Sequence, residues 1–430
     1  MAKQTTRNPW AWIPTLYFAE GLPYVLVMTV SVIMYKRLEI SNTDIALYTS
    51  WLYLPWVIKP LWSPIVDILK TKRYWIVAMQ LIIGGALAGV AFTIPAGNFF
   101  QYTLAFFWLL AFSSATHDIA ADGFYMLGLT KHDQAFFIGI RNTFYRIAML
   151  AGQGLFVILA GQMEKITSDI QWAWSLTFFI IAALFTLFFV WHLFILPYPA
   201  SDSKRQAKSL KQVFAGFGET FISFFKKEGI VLSIIFILIF RLGEAQLVKL
   251  ASPFLLDSPD VGGLGLSTSN IGFIYGTAGM IALTLGGILG GIVVSRQGLK
   301  KWMLPMVFAM NLPNLVYVFL AFIQPQNLWI VTGSVIIEQF GYGFGFTAFM
   351  LYLIYISDGQ HKTAHYALCT GFMALGMMLP GMISGWIEEL IGYKYFFIWV
   401  MACTLPGFII INYLKYDPKF GMKEKEKEKS

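Results

Sequence analysis

Charge is what this chain has least of. Asp, Glu, Lys and Arg make up 13% of its 430 residues against 57% hydrophobic ones, and mean hydropathy is +0.65. An ordinary soluble domain carries about 25% charged residues, so composition excludes that class. Cysteine is scarce as well. Cys369 and Cys403 both lie in apolar runs without a second ligand type nearby, which excludes a disulfide scaffold or thiolate metal centre and leaves two small packing residues. Three further signatures are missing: a nucleophile elbow, a metal-ligand spacing and a Walker phosphate loop. Without them the chain has no constellation for a membrane-embedded enzyme, no need of a cofactor or metal, and no site for direct ATP drive.

What it has instead is long apolar runs. Helices are predicted at about 9–35, 43–66, 74–94, 100–122, 136–160 and 172–196, then at about 229–256, 268–294, 302–324, 327–350, 365–390 and 393–416. Each can cross a hydrocarbon core of about 30 Å as a helix, and each is too long for a barrel strand. The expectation is an all-α polytopic membrane protein with 12 transmembrane helices. The opening MAKQTTRNPW runs into the first apolar segment without a small-residue cleavage site, so that span is expected to be retained rather than removed as a signal. A polar interruption splits the spans six and six. It predicts an N-terminal bundle over 1–197, a basic linker over 198–228, a C-terminal bundle over 229–416 and a disordered, sign-alternating tail over 417–430.

The turns divide the cations unequally. Placing both termini and the even-numbered turns on one side collects 22 Lys and Arg there, and leaves Lys36, Arg37, Lys165 and Lys394 on the other. By the positive-inside rule the termini and linker are cytoplasmic. The net charge of +8 therefore describes membrane topology and gives no reason to expect nucleic acid.

The halves also echo one another. Phe18-Ala19-Glu20-Gly21 in the first span answers Leu242-Gly243-Glu244-Ala245 in the seventh, and short basic turns follow the second and eighth spans, at 64–73 and 291–301. Six plus six spans with matched landmarks is the symmetry expected of the major facilitator architecture, with a solute cavity between the halves. Several strings sharpen this: FAEGLPY (18–24), WLYLPWVIKPLWSPIVD (51–67), AFSSATHDIAADGF (111–124), FYRIAML (144–150), RLGEAQLVKLASPFL (241–255), and HYAL (365–368) with GMISGW (381–386). In this order on these spans they resemble the muropeptide permease family, AmpG, and its acetyl-CoA-transporter relatives. The resemblance implies proton-driven import of cell-wall fragments, GlcNAc-anhydro-MurNAc with or without a peptide, by a monomer in a bacterial inner membrane. Another anionic solute, such as an acyl-CoA or an organic acid, is the alternative cargo.

Charges inside apolar runs mark the candidate site. Glu20 lies some 11 residues into its span, roughly 16 Å at ~1.5 Å per residue, and so at mid-membrane. A carboxylate there either couples transport to protons or sits in a permanent ion pair. Glu244, Glu338 and Asp118 are the other candidate proton carriers. Arg146 and Arg241 fall at similar depth in opposite halves, where a guanidinium fork suits a carboxylate or phosphate on the solute, or else neutralises an intramembrane acid. Tyr17, Tyr24, Tyr145 and Trp56 are at or near cavity depth, where a ring can stack on a sugar. Asp118 and Asp122, four apart, share a helix face. Asp122 is expected to join Asp67, Lys72 and Arg73, with Arg141 nearby, in an ion-pair latch on the cytoplasmic side. His117 has no partner spaced for a metal and reads as a polar lining residue at most.

Overall fold

The computed structural model describes residues 7–200, 202, 210–359, 361–417 and 420. Among these the chain is helical without strands, as a backbone in hydrocarbon must be when no barrel closes. Ten helices among these residues are long and apolar enough to span a membrane. Two of the expected 12 spans are hidden in that number for local reasons. The last helix, Lys362–Ile410, is two spans joined at Gly392, whose φ of 73° breaks the helix where a side chain would be strained. The second span is two shorter pieces, α2a (Asn42–Trp51) and α2b (Leu54–Leu69), separated at Leu52 and Tyr53.

The spans are numbered accordingly. In the first half they are α1 (Pro9–Arg37), α2a with α2b, α3 (Lys72–Thr93), α4 (Phe99–Gly128), α5 (His132–Thr167) and α6 (Ile170–Ile195). In the second they are α7 (Ile230–Leu256), α8 (Thr268–Gln297), α9 (Leu299–Ile323), α10 (Leu328–Ser357), α11 (362–391) and α12 (393–410). One further helix, Leu210–Phe225, occupies the stretch expected to be a polar linker. Its Phe224 is fully buried and stacks on Phe372 of α11 (6.3 Å between ring centres), which is why the segment is held as a helix.

Two compact units emerge. The first comprises Met1–Glu39 with Ile58–Ala215, the second Ile40–Val57 with Gly216–Ser430. The second span is therefore divided: α2a packs with the second-half helices and α2b with the first-half ones. In the first unit Trp12, Leu16, Ile76, Ala120 and Phe124 build a buried core from α1, α3 and α4. In the second, Phe236 and Phe240 of α7 meet Phe349 of α10, with Phe240 and Phe349 stacked at 4.9 Å.

Glycines decide how closely the helices cross. Gly286 of α8 faces the backbone carbonyl of Phe340, and Gly343 of α10 faces that of Leu283, so α8 and α10 touch backbone to backbone. Gly341 and Gly345 turn the other way, onto the α9 carbonyls of Ala309 and Met306. Regular winding lapses at π turns in three spans, Leu26–Val30 of α1, Ala151–Phe156 of α5 and Gly272–Gly279 of α8. In α1 the turn follows Pro23, which cannot donate to the helical ladder.

Candidate functional site

The first unit brings charges from four helices to one point. Carboxylate oxygens of Glu20 (α1), Asp118 and Asp122 (both α4) lie within 4.8 Å of one another. Two cations answer them. Lys59 of α2b contacts Asp118 directly, and Arg141 of α5 places Nη2 2.9 Å from Oδ1 of Asp122. Arg141 Nη1 also donates to the Tyr17 hydroxyl (3.0 Å), which in turn reaches Asp122 (3.4 Å). The guanidinium is sandwiched over the rings of Tyr17 and Tyr125, at 4.5 and 4.9 Å. Oε2 of Glu20 has no hydrogen-bond partner although the residue is only 7% exposed. Asp122, at 42% exposure, is the open edge of the cluster.

Local sequence explains why these side chains meet. Asp118 and Asp122 are one helical turn apart and point together. Gly21, next to Glu20, lets α1 approach α5: a Cβ there would stand 2.9 Å from the Tyr145 carbonyl oxygen. The same three carboxylates could in principle surround a cation. Asp118 and Asp122 are already engaged by Lys59 and Arg141, however, so the donor set that remains is a single glutamate and does not make a metal cage.

Several expectations need correcting. Lys59 and Arg141 reach the acids beside Glu20, Asp118 and Asp122, whereas Arg146 is exposed on α5 beside Asn142 and Thr143, with no ion pair among the described residues. Asp122 pairs with Arg141 and not with Arg73. The Arg73 side chain instead holds the end of α6 through the carbonyls of Leu193 and Leu196 and lies 3.9 Å over the Tyr198 ring, while the backbone amides of Lys72 and Arg73 are taken by Asp202. The Asp67 side chain lies outside the described residues; Arg141, expected near the latch, is the cation that Asp122 meets.

His117 is no lining residue. It is buried, and its Nε2 accepts from the Gln80 amide of α3 (3.0 Å). The Gln80 carbonyl accepts from Nδ1 of His192 on α6 (2.9 Å), and Nε2 of His192 meets the Thr15 hydroxyl of α1 (2.9 Å). This chain of four polar side chains ties α1, α3, α4 and α6 together behind the carboxylates. Gln80 and His192 were not among the expected site residues; the available signal was a single amide in the middle of apolar α3 and a histidine near the end of apolar α6.

The second unit has its own polar centre. Arg241 sits at the break between Ile230–Ile239 and Leu242–Leu256, donates Nη2 to the Tyr342 hydroxyl (2.5 Å) and faces the Phe346 ring at 5.0 Å. Glu244, 1% exposed, leaves Oε2 without a hydrogen bond. Glu338 accepts from Gln339 (2.9 Å) and from Tyr317 (3.5 Å), whose hydroxyl contacts that of Tyr275. Tyr24 and Tyr145 are half-buried in the first unit and Trp56 is half-buried in the second.

A sequence model described as Major Facilitator Superfamily matches residues 15–358. The chain belongs to that superfamily. This facilitator is 26% identical to the anhydromuropeptide permease of Escherichia coli K12 over 403 residues, 92% of this chain and 77% of that one. It is likewise 26% identical to the putative transporter AmpG 4 of Rickettsia conorii, over 93% of this chain and 94% of the relative. Among solved structures it is similar to the nucleoside transporter NupG (TM-score 0.70, 15% identity, 94% and 99% of the two chains) and to a D-xylose–proton symporter (TM-score 0.67, 11% identity, 96% and 97%). The facilitator is thus a multi-pass secondary transporter and not an enzyme.

Proposed function

We propose that this facilitator imports cell-wall amino-sugar fragments, GlcNAc-anhydro-MurNAc with or without peptide, together with protons. The observation that carries the coupling is charge balance in the first unit. Three carboxylates face two cations within one cluster, so one negative charge is left over, and Glu20 is the member with an unpartnered buried oxygen. A proton on Glu20 neutralises the cluster; its release restores a charge that the membrane interior disfavours unless water or solute reaches it. The choice of cargo rests on the permeases to which the chain is similar. In this reading the termini face the cytoplasm, the membrane is a bacterial inner membrane, and the working form is a monomer. Arg241, held by Tyr342 and Phe346, and the exposed Arg146 are the guanidiniums offered to the solute.

The test is uptake into proteoliposomes under an imposed pH gradient, acidic outside, with labelled muropeptides, MurNAc, anhydro-MurNAc, GlcNAc and acetyl-CoA. Accumulation of the anhydro-muropeptides that collapses when a protonophore dissipates the gradient is expected. Preference for acetyl-CoA, or accumulation indifferent to the gradient, would overturn the cargo or the coupling respectively.

A further inference from the structure

One buried cation has no part in this proton cycle. Lys249 lies on α7, eight residues beyond Arg241 and so roughly 12 Å further along the axis at ~1.5 Å per residue. It is 2% exposed. Its Nζ donates to Oγ1 of Thr49 on α2a (2.9 Å) and stands 5.3 Å from the centre of the Tyr53 ring. Thr49 commits its own proton to the Ile45 carbonyl (2.6 Å) and therefore serves the ammonium as an acceptor. Among the described residues no carboxylate pairs with Lys249 within 4.0 Å. An ammonium has three donors, and here a neutral hydroxyl takes one of them. Burying the charged form in this way is costly, and an anion that joined the lysine during the cycle would offset that cost.

A second group at the same place is also unsatisfied. Ser50 is fully buried and its Oγ has no hydrogen-bond partner. Both residues border Gly381 of α11: a Cβ built there would lie 2.7 Å from Ser50 Oγ and 3.4 Å from Lys249 Cγ. The seam around them is lined by small and polar residues. The second span runs antiparallel to α11, with Asn42 and Ser50 of α2a against Gly385 and Gly381, and Val57 of α2b against Gly371. At its far end it is fastened by hydrogen bonds, from Asn42 to Glu388 (2.7 Å) and Tyr393 (2.8 Å) and from Thr43 to Glu389 (2.6 Å). Polar fastenings and small-residue contacts thus line this side of α2a, and the helix is interrupted just beyond it at Leu52 and Tyr53.

We propose that Lys249 is the subsite for a carboxylate on the transported solute, which takes the place of Thr49 when α2a parts from α7 and α11, while Ser50 receives a neighbouring hydroxyl or amide. The inference rests on the amino-sugar reading above. It fits an acid that binds through one point charge, either the sugar's own carboxylate or one on an attached peptide.

The experiment uses the full chain in proteoliposomes under a pH gradient, with three labelled ligands: the peptide-free disaccharide acid, its methyl ester, and the disaccharide bearing a peptide. Wild type should take up the acid in preference to the ester. Lys249→Met and Lys249→Gln should raise KM for the acid about tenfold or more and leave the ester unchanged, whereas Lys249→Arg should keep the preference; loss of one charged hydrogen bond is of this size. Two variants guard against one failing to fold, and each is checked by its monodispersity and melting temperature. A larger effect on the peptide-free acid assigns the sugar carboxylate, and a larger effect on the peptide-bearing ligand assigns the peptide. Equal losses for acid and ester, or a wild type that does not distinguish them, would overturn the role of Lys249 alone. A wild type that takes up none of the three would overturn the cargo and this subsite together.

Discussion

In the proposed coupling, Glu20 is the residue that takes up and releases the proton. Replacing it with Gln removes the surplus charge while keeping the shape, so the cluster is held in its neutral form. Glu20→Gln should still bind and exchange solute but lose accumulation driven by a pH gradient, a difference read by comparing counterflow with driven uptake in the same vesicles. Unchanged driven uptake would pass the role to Asp118, Glu244 or Glu338. Arg141 is the second test at this scale. Its fork holds Asp122 and Tyr17 at once while its plane lies against two rings, and a lysine cannot reproduce that geometry. Arg141→Lys should therefore slow transport by about tenfold, the size of one lost charge-assisted hydrogen bond. Arg146 provides the contrast. With no ion pair to lose, Arg146→Lys should leave the melting temperature unchanged, and a raised KM would then report a direct bidentate contact with solute.

Among the elements, the backbone-to-backbone crossing of α8 and α10 makes the sharpest claim. A side chain at Gly286 meets the Phe340 carbonyl and one at Gly290 meets Thr347, whereas one at Gly291 meets nothing within 4 Å. Gly286→Val should cost about 1–3 kcal/mol through overpacking and lower the melting temperature of the purified protein, while Gly291→Val should not. Equal melting temperatures for the two would show that the crossing tolerates separation. The second span is interrupted at Leu52 and Tyr53, and a few residues on, between Val57 and Ile58, it passes from one compact unit to the other.

Across the whole molecule, the uneven distribution of cations in the turns predicts sidedness. In a chain whose Cys369 and Cys403 are replaced by Ala, a single cysteine at Ser168 should react with a membrane-impermeant maleimide in intact cells. One at Ser203 should react only after permeabilisation. The reverse pattern would invert the topology and with it the proposed direction of import.

The count and type of the helices were legible because hydrophobic thickness acts on each span separately: a run of about 20 apolar residues meets lipid whatever its neighbours do. The pairing of Asp118 with Asp122 was legible for a similar reason, since one helix carries both. Which cation would meet them was not. Arg141 and Arg146 are five residues apart on α5, and ~100° per residue turns them to different faces; depth along the chain cannot tell those faces apart. The meeting of Glu20, Lys59 and Arg141 around the two aspartates needs four helices packed at particular rotations. The same is true of Lys249 against Thr49, and of the chain from Thr15 through His192 and Gln80 to His117. Composition and periodicity determined that this chain is a 12-span membrane protein with charges inside its spans. Only the packing of helix against helix decided which charges share a site, because contact between side chains far apart in the chain depends on helix rotation and crossing, which no single span encodes.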